Sequence, residues 1–290
     1  GKPDLVYCDD INGLCYIRFY QGNGTFGAAT TINFYNIFDD NVGSTGPILG
    51  DVDGNGTLDL VVSRSYTQGV TPWRTVEVRS LVWLNPGTGA LGSPITQTHY
   101  TNRVTGDSAT SCPTIGGDFN GDGKFDLAIS SPRLLGTRIL LSDGTGNFTF
   151  GGLLPEISSI ATAHVNGDAA IDMVGTVWTN GQYVTNTWLN TGGGNFASGV
   201  AYPELKGIMP KTGDMNGDNK LDFVFVSGGN KVSAKLNEGN GVYGSPKAYL
   251  AGAGAGGFVL SDFNGDGRLD MAVQNSTSAS ITIHFNTCLP

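Results

Sequence analysis

The nine-residue segment Asp262-Phe-Asn-Gly-Asp-Gly-Arg-Leu-Asp270 constrains this chain most, because the chain repeats it. DFNGDGKFD fills 118–126, DMNGDNKLD fills 214–222 and DVDGNGTLD fills 51–59. Each copy carries oxygen-bearing side chains at its first, third, fifth and ninth positions, with glycines that let the backbone curl around a centre. Hard oxygen donors on a flexible loop suit calcium, which takes ~6–8 oxygens, better than magnesium, which demands octahedral geometry and keeps several waters. Four copies in register, each leading into an apolar run, point to four calcium ions.

The copies set a period. Their closing aspartates, Asp4, Asp59, Asp126, Asp172, Asp222 and Asp270, recur roughly every fifty residues, the spacing of a four-stranded propeller blade. Short runs such as DLVVS, DLAIS, DMVGTV, DFVFV and DMAVQ read as strands, and no long 3.6-residue apolar stripe suggests helix. Each repeat runs in one order. An apolar segment (47–50, 114–117, 258–260) enters the aspartate loop. A strand leaves it, and a third strand ends in Asn or a similar residue (81–85, 138–142, 186–190, 232–237, 281–286). A glycine-rich turn follows, as in GNGTFG at 22–27 and GNGVYG at 239–244, and then a more polar fourth strand.

The coupling of DFNGDG-type loops with GNGTFG-type turns resembles the FG-GAP repeat family, the calcium-loop β-propellers of integrin α-subunit heads and of many secreted microbial proteins and lectins. The resemblance spans nearly the whole chain. It implies an all-β fold: a single β-propeller domain over 1–290, of about six four-stranded blades, with calcium between the first and second strands of each blade. The ligands it implies are Asp51, Asp53, Asn55 and Asp59; Asp118, Asn120, Asp122 and Asp126; Asp214, Asn216, Asp218 and Asp222; Asp262, Asn264, Asp266 and Asp270. Backbone carbonyls of Thr57, Lys124, Lys220 and Arg268 would complete the shells. One copy departs: HVNGDAAID at 164–172 has histidine first and no glycine at the sixth position, which predicts a loop without metal, held by hydrogen bonds.

The first and last repeats read as incomplete. Gly1 to Asp4 looks like the tail of a loop, and the chain ends after a third strand. Unpaired edges invite pairing, so either further residues upstream complete the first blade or a neighbouring copy supplies the strand, head to tail.

Composition excludes several classes. The formal charge of −9 and the lack of a basic patch argue against nucleic acid, and no apolar stretch is long enough to insert in a membrane. About half of the 25 acidic residues lie in the four loops, and four divalent ions would bring the net charge near −1. Cys8 and Cys15 flank a turn and form the first-choice disulfide, leaving Cys112 and Cys288 as the second, an oxidising-compartment pattern with free thiols as the alternative. N-glycosylation sequons occur at Asn23, Asn147 and Asn275.

No nucleophile elbow, zincin or phosphate loop occurs, and the histidines (His99, His164, His284) pair with no nucleophile, which predicts a non-enzyme. The long interval between Asp59 and Asp126 carries two polar stretches, 64–74 and 99–111, read as loops on a binding face, with Trp73 either packed down onto its own blade or, beside Tyr66 and Arg74, an anchor for a sugar ring or a protein partner. Trp83, Trp188, Leu140, Lys235, His284 and Arg18 share one third-strand position, which reads as solvent-facing or blade-edge because it admits Lys and Arg. The leading expectation is an extracellular structural or adhesive assembly module whose partners are copies of itself. A glycan-binding lectin and an accessory domain of a larger secreted enzyme are the alternatives.

Overall fold

Every apolar run that leaves an aspartate loop is the second strand of an antiparallel sheet. The computed structural model describes residues 4–9, 13–33, 40–44, 46–69, 73–88, 90–105, 113–131, 136–203, 205, 211–239 and 241–287. They hold strands and turns with no helix. The chain forms two compact units, 1–116 with 123–153 and 117–122 with 154–290.

Among the described residues, six sheets of three or more strands follow one another along the chain. Sheet 1 is Leu5–Asp9, Leu14–Arg18 and Thr30–Asn33. Sheet 2 pairs Asp59–Gln68 with Ile48–Gly50, Asp40–Ser44 and Trp73–Trp83, and the last with Ile95–Thr105. Sheet 3 is Thr114–Gly117, Asp126–Ser131, Gly136–Ser142 and Phe148–Leu154. Sheet 4 is Ser159–Ala163, Asp172–Thr179, Gln182–Trp188 and Val200–Tyr202. Sheet 5 is Lys211–Gly213, Asp222–Val226, Lys231–Lys235 and Lys247–Leu250. Sheet 6 is Ala255–Ser261, Asp270–Asn275 and Ser280–His284. Three of the glycine-rich turns form two-stranded ribbons of their own, such as Asn237–Gly239 with Val242–Tyr243.

The second strands of sheets 2 and 5 are apolar on both faces because both faces are covered. Alternate residues of Asp59–Gln68 serve two cores: Leu60 and Val62 pack with Cys15 of sheet 1, whereas Val61 packs with Leu127 and Ile129 of sheet 3. In the second unit Phe223 and Phe225 meet Val174 of sheet 4, and Val224 meets Met271 and Val273 of sheet 6. A strand buried on both faces reads as a continuous apolar run rather than an alternating one.

Three expectations change here. Residues 64–68 and 73–74 are strand rather than insertion loop: the two strands of sheet 2 run on as a longer hairpin through Gln68 and from Trp73, and 100–105 pairs with it, whereas 70–72 and 106–111 lie outside the described residues. The third-strand position shared by Trp83, Trp188, Leu140 and Lys235 is buried, not solvent-facing. It admits lysine because the buried Lys235 places its ammonium 4.8 Å from the Tyr202 ring centroid. On Ser280–His284 the apolar residues Ile281 and Ile283 are the exposed ones, whereas His284 turns inward against Tyr249.

Cys8 and Cys15 are bonded, directly opposite each other in sheet 1. Cys112 and Cys288 lie outside the described residues. The Trp73 side chain is likewise outside them.

Candidate metal loops

The closing aspartate of each loop is the hub of its turn. Asp59 is fully buried and accepts two backbone N–H groups, from Val52 at 2.8 Å and Asn85 at 2.7 Å. Asp172, Asp222 and Asp270 repeat the arrangement with Val165 and Asn190, Met215 and Asn237, and Phe263 and Asn286. Asp126 accepts Ser142 N at 2.8 Å, and Asp4 accepts Tyr20 N at 2.9 Å. The carboxylate therefore joins the loop's second residue to the end of the third strand. Burial pushes the Asp59, Asp172 and Asp222 carboxyls above the usual range, opposed by these same backbone hydrogen bonds.

The opening aspartates collect the turn. Asp262 accepts Gly265 N and Gly267 N at 2.7 Å each, and the Gly267 bond leads in holding its carboxyl below the usual range. Asp214 does the same with Gly217 and Asn219, and Asp51 with Asn55 and Gly56. Asp118 accepts Gly121 N at 2.7 Å and Asp122 N at 3.1 Å, and Asn120 accepts Asp122 N at 2.9 Å. The sixth position is left-handed in all four loops: Gly56, Gly123, Gly267 and, at φ 63°, Asn219. Only glycine takes that conformation freely, and asparagine is the commonest substitute.

Donor geometry suits a hard cation best at 51–59. Ligand atoms of Asp51, Asp53 and Asp59 lie within 4.8 Å of one another. The donors are all oxygen, as calcium prefers. At the fifth position, Asp218 pairs with Lys220 at 2.9 Å and Asp266 accepts Asn264 Nδ2 at 3.0 Å, contacts that lead in holding both carboxyls low.

The fifth loop is closed differently. His164 Nδ1–H donates to the carbonyl oxygen of Ala170 at 3.0 Å. Ala170 is the seventh residue, whose carbonyl is an expected metal ligand in the other copies. Ala169 stands at the sixth position without the left-handed backbone. The imidazole thus occupies the place where an ion would pull on that carbonyl.

A feature unanticipated from sequence joins the loops at 51–59, 118–126, 164–172 and 214–222 to the next repeat. The residue ending the third strand donates its side chain to the carbonyl of the preceding loop's second residue. Ser142 Oγ reaches Val52 O at 2.7 Å, Asn190 Nδ2 reaches Phe119 O at 2.8 Å and Asn286 Nδ2 reaches Met215 O at 2.7 Å. The repeated Asn at strand ends is visible in the sequence, but its partner lies ~70 residues earlier and follows no local pattern.

The sequons differ in access. Asn23 is exposed and Asn147 half-buried, whereas Asn275 is buried with its amide on Ser280 and Thr282, so the folded chain offers no acceptor there. Among the described residues no helix is long and apolar enough to cross a membrane.

Comparison with family models finds an FG-GAP-like repeat at residues 1–62 and 214–273 and an FG-GAP repeat at 114–141. No curated protein matches the chain.

Proposed function

We propose, on the premise that this chain belongs to the FG-GAP repeat family, that it is an extracellular assembly module, a calcium-stapled β-propeller of about six blades that joins copies of itself head to tail. It does this by binding, without catalysis.

One observation carries the reading. In sheets 2 to 5 the residue two places after the loop's closing aspartate pairs with a buried third-strand residue: Val61 with Val82, Ala128 with Ile139, Val174 with Thr187 and Val224 with Ala234. In sheet 6 the equivalent pair is Ala272 with Ile283, and Ile283 is 49% exposed. Val259, Ile281 and Phe285 are at least half exposed beside it. Where a following sheet is described in the same unit, it covers this face with the two residues flanking the equivalent of Ala272, such as Met271 and Val273. Their counterparts in sheet 1, Leu5 and Tyr7, are exposed. In this reading one copy's sheet 1 covers another copy's sheet 6, a heterologous contact that propagates.

Calcium has a structural part in this reading. The ion would be held by Asp51, Asp53, Asn55, Asp59 and the Thr57 carbonyl, and by the corresponding residues of 118–126, 214–222 and 262–270. It offsets two of the three carboxylate charges in each loop. Because the second carbonyl of 51–59, 118–126 and 214–222 receives the next repeat's side chain, ordering these loops also orders the joints between repeats.

Sedimentation velocity in calcium tests assembly. Species larger than one chain should grow with concentration and disappear in Ile283→Lys. A strictly monomeric wild type at high concentration would overturn the reading.

A further inference from the structure

Trp178 breaks the pattern of the other described tryptophan side chains. Trp83 and Trp188 are buried, yet Trp178 is 58% exposed at the end of Asp172–Thr179. Its cross-strand partner is Tyr183, over the two-residue turn Asn180-Gly181, both with left-handed backbone. The rings meet edge to face, with centroids 4.7 Å apart and planes at 68°. Beside them Glu156, Ser158 and Val177 complete a shallow hollow of ≈ 430 Å³. The two polar groups are positioned by what lies between them. Ile157 is fully buried and packs against Gly175, where an added Cβ would stand 2.3 Å from the isoleucine. With Ile157 fixed inward, Glu156 is left exposed and Ser158 half-buried, its N–H tied to Thr176 O at 2.8 Å.

We propose that this hollow binds a neutral pyranose sugar, whose flat C–H face stacks on the Trp178 indole while its hydroxyls bond the Glu156 carboxylate and the Ser158 hydroxyl. The geometry discriminates among flat or cationic ligands. An aromatic cage for an ammonium needs a gap between its walls, and rings in edge contact leave none. On one open face an ammonium keeps most of its water and gains only ~0.5–1 kcal/mol. A nucleotide would bring its phosphate to a hollow whose one charged side chain is an acid, on a chain of charge −9. A pyranose offers an apolar patch together with hydroxyl donors for a carboxylate and acceptors for a serine. The site does not depend on assembly, since it lies away from the Ile283 face on a different sheet.

The test titrates the full chain, with calcium, against hexamers of β-linked glucose and of β-linked N-acetylglucosamine, read by tryptophan emission and calorimetry. Saturable binding to at least one hexamer is expected, weakened at least about tenfold in Trp178→Ala and about threefold or more in Glu156→Gln. Trp178→Phe should retain part of it, and unchanged melting of the variants guards against misfolding. Absence of saturation by either sugar would overturn the proposal. So would binding that survives Trp178→Ala, or a response through Trp178 only to tetramethylammonium or to adenosine monophosphate.

Discussion

The side-chain amide of Asn237 donates to the carbonyl oxygen of Val165, 72 residues earlier in the chain, at 2.8 Å. The same amide reaches Leu221 O at 3.2 Å, and its carbonyl accepts Gly239 N at 2.9 Å. One buried side chain thus fastens its own loop, its own turn and the preceding repeat. Asn237→Ala would strand buried backbone groups, each costing ~1–3 kcal/mol when left unpaired. We expect a loss of about 3 kcal/mol, measured by denaturant midpoint. A loss below about 0.5 kcal/mol would mean that water replaces the latch.

His164 can be converted into the residue its repeat lacks. His164→Asp with Ala169→Gly recreates the loop pattern of 118–126 and 262–270 and removes the bond to Ala170 O. The double variant should bind one calcium ion more than the wild type and melt lower than it in chelator. Native mass spectrometry reads the count. An unchanged count would show that histidine is not what excludes the ion.

His99 gives a pH dependence with a definite sign. It sits at the register irregularity between Thr98 and Tyr100, bonded to Ser80 Oγ at 2.7 Å. Burial first, and then the charge of Arg138, lower its pKa to about 4. The unfolded chain protonates this residue near 6.5 and the folded chain near 4, so the folded state binds fewer protons in between. Its contribution is complete above pH ~6.5 and is lost as pH falls towards ~4, a swing of roughly 3 kcal/mol. Carboxyls raised by burial, such as Asp172, act in the opposite sense, their contribution being lost as pH rises through the raised value. Comparing wild type with His99→Gln isolates the histidine: the stability difference between them should narrow or reverse between about pH 7 and 4. A constant difference would contradict the assignment.

Closing the short Cys8–Cys15 loop removes chain entropy worth about 2 kcal/mol. Reduction should lower stability by that amount or less, with Val6, Cys8 and Ile32 losing their packing on the Leu60 and Trp83 core first. Hydrogen exchange of 5–18 before and after reduction measures it.

The sheets were legible because each aspartate loop marks where a first strand ends and a second begins, and the disulfide because its cysteines straddle one turn. Burial of the third strand was not. Lys235 reads as a surface residue until Tyr202, brought near by the fold, offers its ring. The long hairpin of sheet 2 was hidden because Arg64, Ser65 and Thr67 are polar yet buried, so hydropathy marked them as loop. Long-range latches such as Ser142 on Val52 follow only from how repeats pack on one another. The loop chemistry needs only local order, which is why His164 already stood out as the exception.

Calcium stoichiometry tests the central claim most directly. Equilibrium dialysis of the metal-stripped full chain against calcium should give four ions per chain, with Asp51→Ala, Asp214→Ala and Asp262→Ala each removing one and lowering the melting temperature in calcium. No bound calcium, with a melting curve indifferent to chelator, would contradict it.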